Sequence, residues 1–456
     1  MVPRVSTGEG SVMRRLLPQE NLSGQQDHGL SAKAIRRRLH ALVREHAAAT
    51  SDTPMTDGLP LSRTTLAAEE LIAALDVLLD GRLTMGAQTA AFEAEWSSWL
   101  PAAFSLMVNS GSSANLLMLA ALAFPGGPHQ LRSGDEVILP AVGWSTSLFP
   151  IVQMGCVPVL VDIDPVTLNL DPAQVEQALT PRTRAILAIH LLGNPCDLPR
   201  LQELADRHNL LLLEDCCEAH GAAIEGRRVG TFGALSSFSF FYSHHMTSVE
   251  GGMVCGADRR TWHDLLVSQR AHGWIRGRSD AAAWSAAHPD IDPRWLFVTT
   301  GYNVRPTDIN AAIGRVQLHK LSDFVEKRQA IRRRLLARLR PFESWLAFQG
   351  ELPGHSHSAF GLSLVVRPDA PFTRQALQSF LESRRIETRP IVGSNLARQP
   401  VMRHVLHKIV GPLTQADLVH RNGVMLGNHA DLTATQEDYL VGCIDEFIRQ
   451  AGKRAA

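Results

Sequence analysis

The sequence predicts an α/β protein, with a large domain on a mostly parallel sheet covered by helices and a smaller α+β domain at the C-terminus. Three observations predict it. Between about residues 100 and 260, short near-continuous apolar runs alternate with amphipathic stretches, as in strands buried on both faces by crossover helices. Beyond Pro306 the pattern changes to long helical stretches with an isolated strand-like run, Gly361–Val366. The 456 residues are 45% hydrophobic and 20% charged, an ordinary globular balance with material for a large core.

In chain order, residues 1 to about 30 are rich in Gly, Ser, Gln and Pro without periodicity and are expected to be disordered. Ser31–Ala49 reads as a helix, with Ile35, Leu39 and Leu42 recurring at i, i+4 and i+7 and a solvated basic face. A loop with Pro54, Gly58 and Pro60 closes an N-terminal extension of residues 1–60, and a helix follows around Leu66–Leu79. Strands are expected at Val137–Leu139, Val157–Ile163, Ala185–Leu192, Leu210–Glu214, Leu235–Phe240 and Gly252–Cys255. Helices are expected at Ser113–Ala123, Pro172–Leu179, Pro199–Arg207 and Arg260–Ala271. Arg276–Pro293 is polar and Ala-rich with no clear element, and Pro306 to about Leu339 reads as one or two long helices. The large domain is assigned residues 61–315 and the small one 316–456.

Composition excludes several classes. Forty-five basic residues balance 45 acidic ones, so no general nucleic-acid-binding surface is implied, and only a local basic patch has room. No apolar run approaches the roughly 18 residues that span a bilayer, and the N-terminus has no apolar signal core. The six cysteines show no CxxC spacing, which reads as free thiols in a reducing cytoplasm. The lysines are Lys33, Lys320, Lys327, Lys408 and Lys453, so the central region offers no amine for a Schiff base.

Four motifs carry chemistry. Asn109-Ser110-Gly111-Ser112-Ser113-Ala114 ends a strand and opens a helix, where exposed amides and the helix dipole make an anion site or, more simply, a cap. Gly143-Trp144-Ser145-Thr146 offers an aromatic face that could stack on a flat ring or join the core. Leu211-Leu212-Leu213-Glu214-Asp215 sets an acid at the end of an apolar strand. A carboxylate is costly there unless it is paired, for example with a protonated pyridine nitrogen, or caps the next helix. Ser237–Met253, SFSFFYSHHMTSVEGGM, closes on Glu250-Gly251-Gly252, with His244 six residues before the glutamate.

In this order, over roughly residues 80 to 430, these motifs resemble the DegT/DnrJ/EryC1/StrS sugar aminotransferase family. Gly301-Tyr302-Asn303-Val304-Arg305 and the stretch Thr307–Gly314 match as well. The resemblance implies the fold-type-I architecture of pyridoxal phosphate enzymes and a cytoplasmic homodimer with shared active sites. It implies Asp215 on the pyridine nitrogen, Trp144 stacked on the ring and Glu218 near the ring oxygen. Gly111, Ser112 and Ser239 would hold the phosphate, with Asn303 reaching it from the partner subunit. Most members carry a lysine where this chain has His244. That replacement, with Arg270-Ala271-His272-Gly273-Trp274 and Arg389-Pro390-Ile391-Val392, is similar to a subgroup of nucleotide-sugar 3-dehydratases. These remove the 3-hydroxyl of a 4-keto-6-deoxyhexose in deoxysugar and O-antigen biosynthesis. The subgroup implies non-covalent pyridoxal or pyridoxamine phosphate, glutamate as amine donor paired by Arg305, and His244 as catalytic base. One branch carries an iron–sulfur cluster on cysteines after the Glu-Gly-Gly, but residues 256–300 contain none, so no cluster and no metal is expected. An aminotransferase tolerating His244 and a silent cofactor- or sugar-binding relative remain as alternatives.

Overall fold

The computed structural model describes residues 31–51, 58–127 and 129–455. The disorder expected of residues 1 to about 30 lies outside the described residues, as does part of the loop around Pro54. The chain divides into two units between Asp52 and Thr53. The first contributes one described helix, Ala32–Ser51, close to its expected bounds. Ile35 and Leu42 of its apolar series are exposed.

The second unit is organised on a large sheet. Its strands in chain order are β1 (Phe104–Val108), β2 (Glu136–Pro140), β3 (Val157–Val161), β4 (Thr183–Ile189), β5 (Leu211–Asp215), β6 (Leu235–Ser239) and β7 (Gly252–Gly256). They lie in the order β1-β7-β6-β5-β4-β2-β3, with the short strand Lys408–Ile409 added outside β3. Pairing is parallel from β6 to that edge, and β7 runs antiparallel to both of its neighbours. Successive side chains enter opposite cores, as the pleat requires. Val137 and Leu139 lie in one core and Ile138 in the other, and Leu187 and Ile186 divide in the same way. This is the mostly parallel, helix-covered sheet that the apolar runs predict.

All six expected strands form. The one expected to reach Leu192 stops at Ile189, because the chain turns through a 3₁₀ segment, Leu191–Gly193, with Leu192 at φ 56°. Two helices fall outside the sequence expectations. Ser145–Gln153 contains Pro150, which argues against a helix interior. Ala87–Trp99 is poor in aliphatic residues and buries Thr89, Phe92 and Trp96. Trp96 packs edge-on against Phe238 and Phe240 at ring separations of 5.1 and 4.9 Å. The unclassified polar stretch after Arg276 holds a short helix, Ala281–Ala287, that buries no residue.

Pro306 to Leu339 resolves into a single helix, Asp308–Leu339. It leads to an antiparallel four-stranded sheet, ordered Leu346–Phe348, Gly361–Val366, Gly423–Gly427, Thr388–Arg389. This sheet has its own core, which includes Leu335, Leu364, Leu377 and Ile444. Among the described residues no helix is long and apolar enough to cross a membrane. All six cysteines are unpaired.

Asp308 explains how a weakly patterned segment becomes the helix Ala87–Trp99. Its buried carboxylate accepts the backbone N–H groups of Gly86, Gln88 and Thr89 and the Thr89 hydroxyl at 2.7–3.2 Å. Hydrogen bonds to a charged group are worth about 1.5–3 kcal/mol, and Asp308→Ala would strand the buried N–H and hydroxyl of Thr89 together. We expect this substitution to cost roughly 3 kcal/mol, read as a lower urea midpoint at an unchanged slope. An unchanged midpoint would show that the helix start is held by packing alone.

Candidate active site

A cavity of about 590 Å³ opens where parallel strands present their carboxyl ends, the usual ligand position in such sheets. It gathers Gly111, Ser112, Trp144, Asp215, Glu218, Ser239 and His244. These come from the ends of β1, β2, β5 and β6 and the loops that follow them.

The anion-binding end is built from backbone. Ser110 caps the helix Gly111–Ala123, its hydroxyl oxygen accepting the Ser113 N–H at 3.1 Å. The first-turn amides of an α-helix have no intrahelical partners and carry the positive end of its dipole. A Cβ at Gly111 would overlap Ser239, and one at Gly252 would overlap the Ser110 carbonyl group. The glycine of the Glu-Gly-Gly is therefore required by close backbone approach, which draws β7 onto the helix start. The Ser112 hydroxyl donates to Thr146 at 2.9 Å.

Asp215 lies across the cavity floor, only 5% exposed. Its carboxylate accepts from Asn115 Nδ2 at 2.8 Å, Ser147 Oγ at 2.7 Å and the Cys217 N–H at 3.1 Å. Asn115 is oriented in turn by the Ser237 hydroxyl, which donates to its Oδ1 at 2.6 Å. Three neutral donors align the carboxylate, and no cation pairs with it among the described residues. Trp144 is 56% exposed and presents its ring to the same space. Glu218 accepts the Leu192 N–H at 2.8 Å. Burial, with the Asp215 charge adding to it, pushes the Glu218 carboxyl up to about 7 against the effect of that hydrogen bond.

His244 sits on the loop joining β6 to β7. Phe240 ties the loop at both ends: its N–H donates to the Gly251 carbonyl, and its carbonyl accepts the Ser248 N–H, each at 2.9 Å. Val249 is held in the left-handed region at φ 71°, a conformation costly for a β-branched residue. The His244 ring lies 5.2 Å from Phe360, and its Nδ1 is enclosed without a hydrogen-bond partner. Burial and the positive charge of Arg328 lower its pKa to about 4, against the opposing Asp215 charge. Arg328 is itself buried. It donates through Nη1 to the carbonyls of Phe360 at 3.0 Å and Asn428 at 2.7 Å, without a carboxylate in ion-pair contact among the described residues.

Two expected site residues do not reach this cavity. Arg305 Nε donates to Asn303 Oδ1 at 3.0 Å, and the Arg305 guanidinium lies 5.6 Å from the Trp274 ring centre, elsewhere on the same chain. Sequence reasoning missed Asn115, Ser147, Arg328 and Phe360. Asn115 had a signal, because it follows Gly111 by one helical turn in an otherwise apolar helix. Arg328 had none, since it lies in an Arg-rich helix and reaches the site only through the fold.

A fold-type-I-like α/β sheet with this cavity defines a class, and the chain belongs to the DegT/DnrJ/EryC1/StrS aminotransferase family, whose model matches residues 64–445. Within it, the chain is 38% identical to GDP-4-keto-6-deoxy-D-mannose 3-dehydratase of Yersinia pseudotuberculosis over 374 residues, 81% of this chain and 94% of that protein. It is 37% identical to dTDP-4-dehydro-2,6-dideoxy-D-glucose 3-dehydratase of Saccharopolyspora spinosa over 428 residues, 91% of this chain and 92% of that one. It also matches a crystal structure of GDP-4-keto-6-deoxymannose-3-dehydratase with a trapped PLP-glutamate geminal diamine, with a TM-score of 0.78 and 34% identity. That match covers 85% of this chain and all of the other.

The residues fit pyridoxal phosphate. A buried carboxylate without a cation suits a pyridinium, an exposed indole suits a flat ring, and the cradle at Gly111 suits a phosphate. Arg328→Gln should raise the His244 pKa from about 4 towards the usual histidine value, because a positive charge that opposes protonation is removed. Arg328→Lys should largely keep it low. The other groups around the ring, Asp215, Glu218, His220, His245, Glu250 and Arg389, are unchanged in either variant. Ring-nitrogen NMR titration of His244 checks this, and an unmoved titration in Arg328→Gln would assign the depression to burial alone.

Proposed function

We propose that the chain is a pyridoxal phosphate-dependent 3-dehydratase of a nucleotide-linked 4-keto-6-deoxyhexose, with glutamate as amine donor. The observation that carries this is His244 in the cofactor cavity, with no lysine among the residues lining it. The reaction balances as ketosugar plus glutamate giving 3-deoxy ketosugar, 2-oxoglutarate and ammonia.

When bound, the cofactor supplies an electron sink that lets bonds near the sugar carbonyl break heterolytically. Asp215, aligned by Asn115 and Ser147, would hold the proton on the pyridine nitrogen. Trp144 would cover one ring face. Gly111, Ser112 and Ser239 would hold the phosphate, and Glu218, its carboxyl raised to about 7, would be the group for the ring oxygen. His244 is neutral at physiological pH and free to accept a proton at Nε2. Its imidazolium, with a pKa of about 4, is a strong donor to the departing 3-hydroxyl. The cysteine-free stretch 256–300 supports a reaction without an iron–sulfur cluster.

Incubation with glutamate and a panel of 4-keto-6-deoxy nucleotide sugars, read by mass spectrometry, tests the reading. The expected product is a 3-deoxy ketosugar with ammonia. An aminosugar would identify an aminotransferase, and no turnover of any sugar would favour a silent binding protein. Borohydride should leave no cofactor fixed to the wild-type chain. In His244→Lys it should fix one, while dehydration falls by at least about a hundredfold, the usual loss for a general base.

We further propose that the active form is a cytoplasmic homodimer in which Asn303 and Arg305 of the partner subunit complete each site. Both residues stand outside their own chain's cavity. Nearby, Trp295 and Phe297 are 58% and 53% exposed, and both contact Trp274, over which Arg305 lies. Contiguous exposed aromatics of this kind mark interfaces. A twofold axis makes such sharing reciprocal. Mixing inactive His244→Asn with inactive Arg305→Ala should therefore restore up to about a quarter of wild-type activity. Half of the randomly paired dimers would be mixed, and each mixed dimer would hold one intact site. No recovery despite verified subunit exchange would place both residues in one subunit's site.

A further inference from the structure

Away from the cofactor cavity, a second cavity of about 780 Å³ opens in the C-terminal region, and the proposed chemistry makes no use of it. Arg367, Arg374 and Arg421 line it, and no aspartate or glutamate does. None of the three forms an ion pair among the described residues. Elsewhere Arg182, Arg270, Arg315 and Arg334 all pair with carboxylates. Arg367 Nε donates to the Glu343 carbonyl at 2.7 Å, and Arg374 Nη1 donates to the His420 carbonyl at 3.2 Å. Arg374 Nε is enclosed with no partner. Asp417, one helical turn before Arg421, is already committed to Arg398 at 2.6 and 2.8 Å and to Asn395 at 2.8 Å. The wall also includes the start of the helix Arg374–Ser383, capped by Thr373, whose first amides add positive potential.

Three guanidiniums line this one space. The carboxylate of Asp417 feels the Arg421 charge but is bonded to Arg398, and an anion would relieve the remaining repulsion. Their forked donors match phosphate oxygens. Three guanidiniums, each able to meet two oxygens, offer more donors than a single phosphate uses and so favour two linked phosphates. We propose that this cavity is a binding site for a diphosphate group, separate from the cofactor site. The strand Gly361–Val366 connects the two: Phe360 lines the cofactor cavity and Val366 lines this one. At about 3.3 Å per residue they stand roughly 20 Å apart, so an occupant here would not displace the cofactor.

Cofactor-loaded enzyme titrated calorimetrically with sodium pyrophosphate, and separately with GDP, tests this. Pyrophosphate should bind, more weakly at high salt, and lose about tenfold or more in affinity in the double variant Arg374→Gln/Arg421→Gln. The exposed single variant Arg367→Gln should weaken it in the same direction and carries little risk to folding. His244→Asn should leave it unchanged. GDP binding with a component lost in the double variant would extend the site to nucleoside diphosphates. Loss of pyrophosphate binding alone would confine it to the phosphates. Equal pyrophosphate affinity in wild type and in both arginine variants, with matching circular dichroism and melting temperatures, would overturn the proposal, as would no binding at all.

Discussion

A carboxylate buried without a cation is the constraint on which the rest of the site depends. Asp215 ends a fully internal strand, where an unpaired charge is costly. Three neutral donors make it tolerable without neutralising it. Those donors come from the helix Gly111–Ala123, the helix Ser145–Gln153 and the turn just after β5, and Ser237 of β6 orients the first of them, so orienting one side chain requires several crossover connections to be in place. The negative charge remains, directed at a cavity with an exposed indole on its wall. An unpaired carboxylate in such a place favours a positively charged occupant.

The opposite electrostatic choice is made around His244. Arg328 brings a buried positive charge held by carbonyl dipoles, and it faces a group of histidines that burial already keeps neutral. The pKa of His220 and of His245 is also lowered, first by burial and then by neighbouring positive charge. Because the unfolded chain would protonate these rings first, stability contributed here rises with pH through the window from about 4 to the ordinary histidine value. Glu218 acts in the opposite sense, since its carboxyl is raised to about 7 and the folded chain binds its proton more readily. The site therefore sets a histidine held neutral beside a carboxyl that keeps its proton up to about 7.

Much of this was legible in the chain, for identifiable reasons. Strands buried on both faces leave unbroken apolar runs, so β2 to β7 could be read directly. Gly111, Asp215 and Gly252 occupy positions where a strand end meets a helix or a close backbone, and residue type alone signals that. The helices Ala87–Trp99 and Ser145–Gln153 were not legible. The first depends on a cap from Asp308, more than two hundred residues away, and the second continues through a proline. Asn115, Ser147 and Arg328 act through contacts that only the sheet order creates.

The charges near position 244 also bear on what a lysine would do there. Burial and a nearby guanidinium disfavour any protonated base, so an amine standing at this position would also be held towards its neutral, nucleophilic form. The surroundings thus suit either residue, and the outcome of the chemistry turns on one atom's reach and reactivity. A neutral amine on a long flexible stem can capture a carbonyl. An imidazole on a short stem, packed at 5.2 Å against Phe360, cannot form the stable Schiff base that a primary amine forms. On the proposed reading, a scaffold built for nitrogen transfer would need no rearrangement of Asp215, Trp144 or the Gly111 cradle to become one that removes a hydroxyl, because the electron sink would be the same and only the residue at position 244 would differ.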